Sequence, residues 1–273
     1  SDLYNTGATE LISYFPIDSL TGNDYGPAGL NLSNSSASPV NGIDGDYPGA
    51  VDLQGTTGSN LNVGSAAGLP RIDAPRSFCA FVRPTAQPAA GMRYPIISYG
   101  GTSANFQGAE LVYFNQSGTD YRVAMTKIGD SVDAQIKLPV YSWSHVCGTN
   151  DGAVSRIYVN GVELPATGSN AQVFASTAGV LKIGTRVYDP SNTYAFKGNI
   201  DEARIYNKAL SASEIRQLSA IIPAGLIARY DFDGDTQDVS GFGNGITNSG
   251  ATPTDDRYGL NSRAYKFDGS AFL

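Results

Sequence analysis

Side chains that carry chemistry are scarce in this chain of 273 residues, which holds two cysteines, one histidine, one tryptophan and two methionines. With a single imidazole and two thiols 68 positions apart, no zinc-ligand spacing is present. Glutamate is rare too: five of the 25 acidic residues, leaving 20 aspartates. Charged residues make up 16% of the chain, and 18 basic against 25 acidic gives a net charge of −7. Such a chain is repelled by nucleic acid and by anionic membranes, which excludes both as expected partners. No apolar run approaches the ~20 residues of a helical membrane span, so membrane insertion is not expected. What remains is Gly (32), Tyr (16) and many Ser, Thr and Asn residues. That surface of hydroxyls and amides is typical of secreted β proteins. The chain begins at Ser1 with no signal-peptide pattern, as a processed secreted form would.

Both cysteines lie in strand-like runs, Ser77-Phe78-Cys79-Ala80-Phe81-Val82 and Trp143-Ser144-His145-Val146-Cys147-Gly148-Thr149. They are either inert buried thiols or a cross-link between neighbouring strands, whose spacing of about 5 Å suits a disulfide in register. The cross-linked alternative implies an oxidising compartment, hence a secreted or cell-surface protein.

Strand signals dominate. Short runs of Val, Ile, Tyr and Phe alternate with turn dipeptides such as Asn41-Gly42, Asp151-Gly152 and Asn160-Gly161. The clearest hairpin is Arg156-Ile157-Tyr158-Val159-Asn160-Gly161-Val162-Glu163-Leu164, whose Asn-Gly suits a type I′ turn. Further strands are expected at 11–15, 95–99, 110–115, 121–126, 179–183 and 198–206. One short helix is expected where Ser211-Ala212-Ser213-Glu214 forms a capping box ahead of Ile215 and Leu218. The pattern predicts an all-β sandwich of two antiparallel sheets with one short helix late in the chain.

An internal repeat sets the expected domain boundary. Leu11-Ile12-Ser13-Tyr14-Phe15-Pro16-Ile17-Asp18 matches Leu226-Ile227-Ala228-Arg229-Tyr230-Asp231-Phe232-Asp233, and Ala50-Val51-Asp52-Leu53-Gln54-Gly55 matches Ala264-Tyr265-Lys266-Phe267-Asp268-Gly269. The reading is a lead over 1–8, a complete domain over 9–220, and the opening strands of a second, truncated repeat over 221–273. Because an incomplete sandwich has unpaired edges, self-association through 221–273 is an expectation as well.

The run Phe196-Lys197-Gly198-Asn199-Ile200-Asp201-Glu202-Ala203-Arg204-Ile205-Tyr206-Asn207-Lys208-Ala209-Leu210-Ser211 resembles the closing strand and helix of laminin G-like jelly-roll repeats in the concanavalin A-like lectin/glucanase superfamily. Trp143-Ser144-His145-Val146 followed by Ile157-Tyr158-Val159-Asn160-Gly161 is similar to that family's central hairpin. The resemblance implies a concanavalin A-like jelly roll. It also places Cys79 and Cys147 where the related pentraxins carry a disulfide. The acidic loops through which pentraxins bind calcium are poorly represented here.

Glycosidases on this fold carry Glu-x-Asp-x-Glu on one strand. None of the glutamates at 10, 110, 163, 202 and 214 has an acid two residues later, so no enzyme is expected. Asp201 and Glu202 are adjacent, and strand alternation would send them to opposite faces. His145 is expected as a buried, hydrogen-bonded strand histidine. Oxygen-rich loops raise a structural calcium site at Asp18, Asn23, Asp24 and Asp201, echoed in the second unit by Asp233, Asp235 and Asp238; the alternative is that these aspartates build turns. For sugar recognition, Tyr188, Asp189, Asn192 and Tyr194 form one aromatic and polar loop cluster, and Tyr99, Asn105 and Phe106 a second.

These readings converge on a non-catalytic extracellular adhesion or carbohydrate-binding module that recognises a glycan or glycoprotein through loops. The alternative is a structural subunit of an extracellular fibre or surface layer, assembled by strand exchange through 221–273.

Overall fold

The structure is a computed structural model that describes residues 10–17, 23–43, 49–65, 68–71, 74–101, 108–127, 130–168, 179–189, 193–220, 230, 232, 236, 245–255, 261–262 and 264–273. The chain divides into two compact units, a larger one over Tyr4–Ser219 and a smaller one that includes Ala220–Leu273. In the smaller unit β17 (Thr252–Thr254) pairs antiparallel with β18 (Ala264–Lys266).

The larger unit is a sandwich of two eight-stranded antiparallel sheets. In chain order its strands are β1 (Leu11–Phe15), β2 (Ser33–Ser35), β3 (Ser38–Val40), β4 (Ala50–Gln54), β5 (Asn60–Val63), β6 (Arg76–Pro84), β7 (Arg93–Gly100), β8 (Gly108–Ser117), β9 (Asp120–Lys127), β10 (Asp130–Gln135), β11 (Ser144–Asn150), β12 (Ser155–Val159), β13 (Val162–Leu164), β14 (Ala166–Gly168), β15 (Val180–Ile183) and β16 (Lys197–Tyr206), followed by helix α1 (Ala212–Ser219). The first sheet runs β13-β12-β11-β6-β16-β4-β3, with β1 also paired to β16. The second runs β14-β10-β9-β8-β7-β15-β5-β2. The long crossovers between sheets make this the jelly-roll sandwich that the strand pattern predicts.

Period-2 alternation explains the core. Phe78, Ala80 and Val82 of β6 face Leu111, Tyr113, Val123 and Met125 of the second sheet, all within one apolar cluster. Gly148 of β11 is required at this layer: a Cβ there would lie 2.5 Å from the Met125 side chain. The Asn160-Gly161 turn joins β12 to β13 with φ of 51° and 79°, the geometry expected of a type I′ hairpin.

The outer face of the first sheet carries a second, smaller cluster. Cys79 and Cys147 stand directly opposite each other on β6 and β11, with Cα atoms 4.2 Å apart, and form a disulfide. Tyr158, Tyr206, Leu210 and Ile215 of α1 pack over it. The helix begins in the predicted capping box: Glu214 N donates to Ser211 Oγ at 3.3 Å, while Ser211 N donates to the Glu214 carboxylate at 2.7 Å. Ser77 Oγ ties the helix lead to β6, donating to Lys208 O and accepting from Leu210 N.

Two expectations on this face are corrected. Glu202 has a φ of 53° within a β-bulge between Asp201 and Arg204, so strict alternation is broken at this pair of acids. Glu202 accepts from Tyr14 Oη at 2.7 Å and pairs with Arg204, whose guanidinium lies 4.4 Å over the Tyr14 ring. His145 is buried as expected, yet neither ring nitrogen has a hydrogen-bond partner. Its ring packs 4.7 Å from Phe81. Desolvation, with a lesser contribution from the Arg204 charge, holds its pKa down to about 3, so the imidazole is neutral.

Candidate functional site

The outer face of the second sheet has a layout that strand register builds directly. Lys182, Ser98, Glu110, Thr126 and Ser131 lie opposite one another across β15, β7, β8, β9 and β10, forming a polar row. Two residues along, Pro95, Val112, Ala124 and Asp133 form a mostly apolar row. Two further along, Arg93, Phe114 and Arg122 form a third. Val112, Phe114 and Ala124 pack as a cluster separate from the main core. Val112 and Ala124 have no exposed surface and Phe114 only 4%, so this apolar strip is a covered layer with polar groups on both sides.

One loop comes back over this face. Residues 184–189 and 193–196 follow β15, with an antiparallel bridge between Thr185 and Ala195. Val187 N donates to Ser98 Oγ at 3.2 Å, which lays the loop against β7. Arg186 then reaches Glu110, with Nη2 to Oε2 of 3.0 Å, and stacks 5.6 Å over the Tyr194 ring. Asp189 Oδ2 accepts from the backbone N–H of Thr193 and of Tyr194, both at 2.6 Å. Tyr188, Asp189 and Tyr194 thus stand in one loop, with Asp189 as the loop's own staple. Asn192 lies outside the described residues.

The electrostatics centre on Glu110, which has no exposed surface. Oε2 accepts from Thr126 Oγ1 at 3.1 Å and from Arg186, while Oε1 is buried with no hydrogen-bond partner. Desolvation raises its pKa, opposed by the charges of Arg186 and Arg93. On the other side Arg122 bridges Asp120 at 2.9 Å and Asp133 at 2.5 Å, and Ser131 Oγ donates to Asp133 at 3.0 Å. Chemically, the accessible part of the site is the loop, where the partly exposed Tyr188, Asp189 and Tyr194 set aromatic rings beside polar groups, which suits a polyhydroxylated ring. Sequence reading passed over Glu110, Arg93, Arg122, Asp133 and Arg186. The available signal was a glutamate at an alternating position inside the otherwise apolar run Ala109-Glu110-Leu111-Val112-Tyr113-Phe114.

The remaining sequence candidates fall elsewhere. Tyr99 does not belong to a surface cluster: it sits on the core face of β7 at 1% exposure, donating to Pro70 O and accepting from Arg76 Nη1, each at 2.5 Å. Its supposed neighbours Asn105 and Phe106 lie outside the described residues, as do Asp18, Asp233, Asp235 and Asp238. Asn23 is exposed. Asp24 builds a turn, Oδ1 accepting from Tyr14 N at 2.9 Å and Gly26 N at 2.7 Å, and Oδ2 from Leu30 N at 2.7 Å. Asp201 on β16 accepts from Ile43 N at 2.8 Å. Among the described residues, the group of three metal-ligating side chains in mutual reach is Cys79, His145 and Cys147, in which both sulfurs are engaged in the disulfide. No helix among the described residues is long and apolar enough to cross a membrane.

Residues 55–216 match a laminin G model described as concanavalin A-like lectin/glucanases superfamily. No curated protein matches the chain. Among solved structures, domain 4 of AbnA, a GH43 extracellular arabinanase from Geobacillus stearothermophilus, in complex with arabinotriose, aligns with a TM-score of 0.58 at 21% identity, over 77% of this chain and 98% of that domain. The binding domain of Paraclostridial Mosquitocidal Protein 1 aligns at 0.61 and 16% identity, over 84% of this chain and 56% of that one. Trypanosoma rangeli sialidase aligns at 0.56 and 16% identity, and the match spans 77% of this chain but only 32% of the sialidase. At these identities the structural likeness establishes the fold. With the family model covering more than half of its length, the chain belongs to the laminin G-like family of the concanavalin A-like lectin/glucanases superfamily.

Proposed function

We propose that the chain is a non-catalytic carbohydrate-binding module that acts outside the cell and holds its glycan on the outer face of the second sheet. The observation that carries this reading is the loop after β15, which lies over the outer face of the second sheet and presents the half-buried rings of Tyr188 and Tyr194 beside Asp189 and Arg186. A sugar ring places its C–H face on an accessible tyrosine ring and its hydroxyls on the polar groups beside it. The arabinanase domain, whose structure contains arabinotriose, supports the same class of ligand. The disulfide supports an oxidising, extracellular setting.

A binding role is favoured over hydrolysis by the state of the acids. Glu110 has no exposed surface and is paired with Arg186. Asp133 is moreover neutralised by Arg122.

The test is a glycan array probed with the purified chain in calcium and again in EDTA, followed by calorimetry with the best oligosaccharide. Selective binding that Tyr194→Ala weakens by about tenfold is the expected result, and silence on the array under both conditions would sink the reading. Loss in EDTA would add a structural calcium in the loops around Asp18, Asn23, Asp24 and Asp201. A second reading, a structural subunit that self-associates through 221–273, draws on the exposure of Phe267 and Phe272 in the smaller unit.

A further inference from the structure

The short hairpin of the smaller unit repeats part of the larger one residue for residue. β17 and β18 pair Thr252, Pro253 and Thr254 with Lys266, Tyr265 and Ala264. β3 and β4 pair Ser38, Pro39 and Val40 with Asp52, Val51 and Ala50, each residue 214 positions earlier (264 − 50). The turn ahead of both hairpins is built alike. Asn34 accepts from Ala37 N at 2.9 Å and donates to Ala37 O at 3.0 Å, and Asn248 does the same with Ala251 at 2.9 and 2.8 Å. Ser36 and Gly250 share a positive φ, of 60° and 86°, as do Gly55 and Gly269, of 71° and 95°. Register, turn and backbone that agree over one offset make β18 the counterpart of β4.

The two strands differ in what lies along their other edge. On β4 it is β16, which pairs Lys197, Gly198, Asn199 and Ile200 with Gln54, Leu53, Asp52 and Val51. Gly55 N donates to Phe196 O at 3.0 Å, so by alternation Leu53 and Val51 also turn their N–H and C=O groups toward β16. Their counterparts Phe267 and Tyr265 turn the same groups away from β17, to an edge where no strand is paired among the described residues. Leu53 has no exposed surface, whereas Phe267 at the matching position is 51% exposed. We propose that this edge of β18 docks a strand of the β16 type, which adds to the hairpin in the register that β16 keeps with β4. Lysine, glycine, asparagine and isoleucine of the incoming strand then stand opposite Asp268, Phe267, Lys266 and Tyr265. The chemistry fits position by position: the lysine meets a carboxylate, the glycine leaves room for the Phe267 ring, and the isoleucine faces an aromatic. A second folded copy of this chain does not supply the strand, because its β16 is already paired on both sides, with β4 and β6. Strand docking here is independent of glycan binding by the larger unit.

A fluorescent peptide with the sequence of residues 196–206, titrated with the full chain and read by anisotropy, is the test. Saturable binding about tenfold or more tighter than that of a scrambled peptide is expected. N-methylation of the peptide at the position of Ile200 removes the N–H aimed at Tyr265 and should weaken binding about tenfold. Phe267→Ser, at an exposed position, should weaken it as much while leaving the thermal midpoint near that of wild type. Tyr141→Ser, at an exposed position of the larger unit, should leave the affinity unchanged. Equal affinity for the native and scrambled peptides, or no saturable binding, would overturn the assignment. So would a loss on N-methylation that Phe267→Ser does not reproduce, since the peptide would then be replacing β16 beside β4. A concentration-dependent dimer that excess peptide fails to dissociate would give the edge to a second copy and overturn it as well.

Discussion

His145 shows what burial does to one side chain when no partner is supplied. As a lone histidine within a strand run it is easily found in the sequence; alternation with the core residue Val146 sends it to the outer face of the first sheet, and its burial there comes from what covers that face. Its lack of a partner does not follow, because that depends on which side chains β6 and β16 set beside it. Those are Phe81 and the Arg204 cation, neither of which accepts a hydrogen bond. With a folded pKa of about 3 against 6.5 when free, the unfolded chain takes up a proton at this site first as pH falls. Stability is therefore fully present above pH 6.5 and declines as pH drops from 6.5 towards 3, by at most about 1.4 kcal/mol per pH unit from this group. His145→Phe should remove that component and stabilise the fold at pH 7 by about 1 kcal/mol, since it replaces an unsatisfied polar ring with an apolar one. Thermal melts of both proteins at pH 7 and pH 4.5 check this. Equal losses in the two proteins between those pH values would show that the imidazole does not contribute.

At the scale of elements, the strands were far more legible than their meeting points. The runs at 11–15, 95–99, 110–115, 121–126 and 198–206 all lie within strands, and the capping box begins α1 where Ser211 and Glu214 place it. Local alternation and turn chemistry suffice for that. The candidate site is another matter: its rows join residues from β15, β7, β8, β9 and β10, and their alignment is a property of register across chain separations that no local pattern encodes. The same holds for the β-bulge between Asp201 and Arg204, which no local pattern announces. Register also decides the disulfide, because Cys79 and Cys147 are exact cross-strand partners separated by 68 residues. Closing a loop of that length stabilises the fold by about 4 kcal/mol in the chain-entropy model. The double variant Cys79→Ala, Cys147→Ala should lose about that much in urea denaturation, and a loss below about 1 kcal/mol would mean that the packing of Tyr158, Leu210 and Ile215 over the pair holds β6 and β11 together without it.

For the whole molecule, the open question is what the second unit adds to the first. The segments paired in the sequence repeat, Ala50–Gln54 and Ala264–Lys266, are both strands, β4 and β18. In the larger unit β4 is flanked on both sides, by β16 and β3. In the smaller unit β18 has one described strand partner, β17, and Phe267 and Phe272 nearby are exposed at 51% and 64%. Exposed aromatics beside a short hairpin are a surface that a neighbouring chain could cover, whereas a module that binds glycan on one sheet face has no need of it. The two functional readings thus separate by mass. Light scattering across a concentration series should give a single species of 28.6 kDa if the chain works as a lone binding module, and Phe267→Ser, Phe272→Ser should leave that mass unchanged. A heavier species that grows with concentration and reverts to the monomer in the double variant would instead support assembly through 221–273.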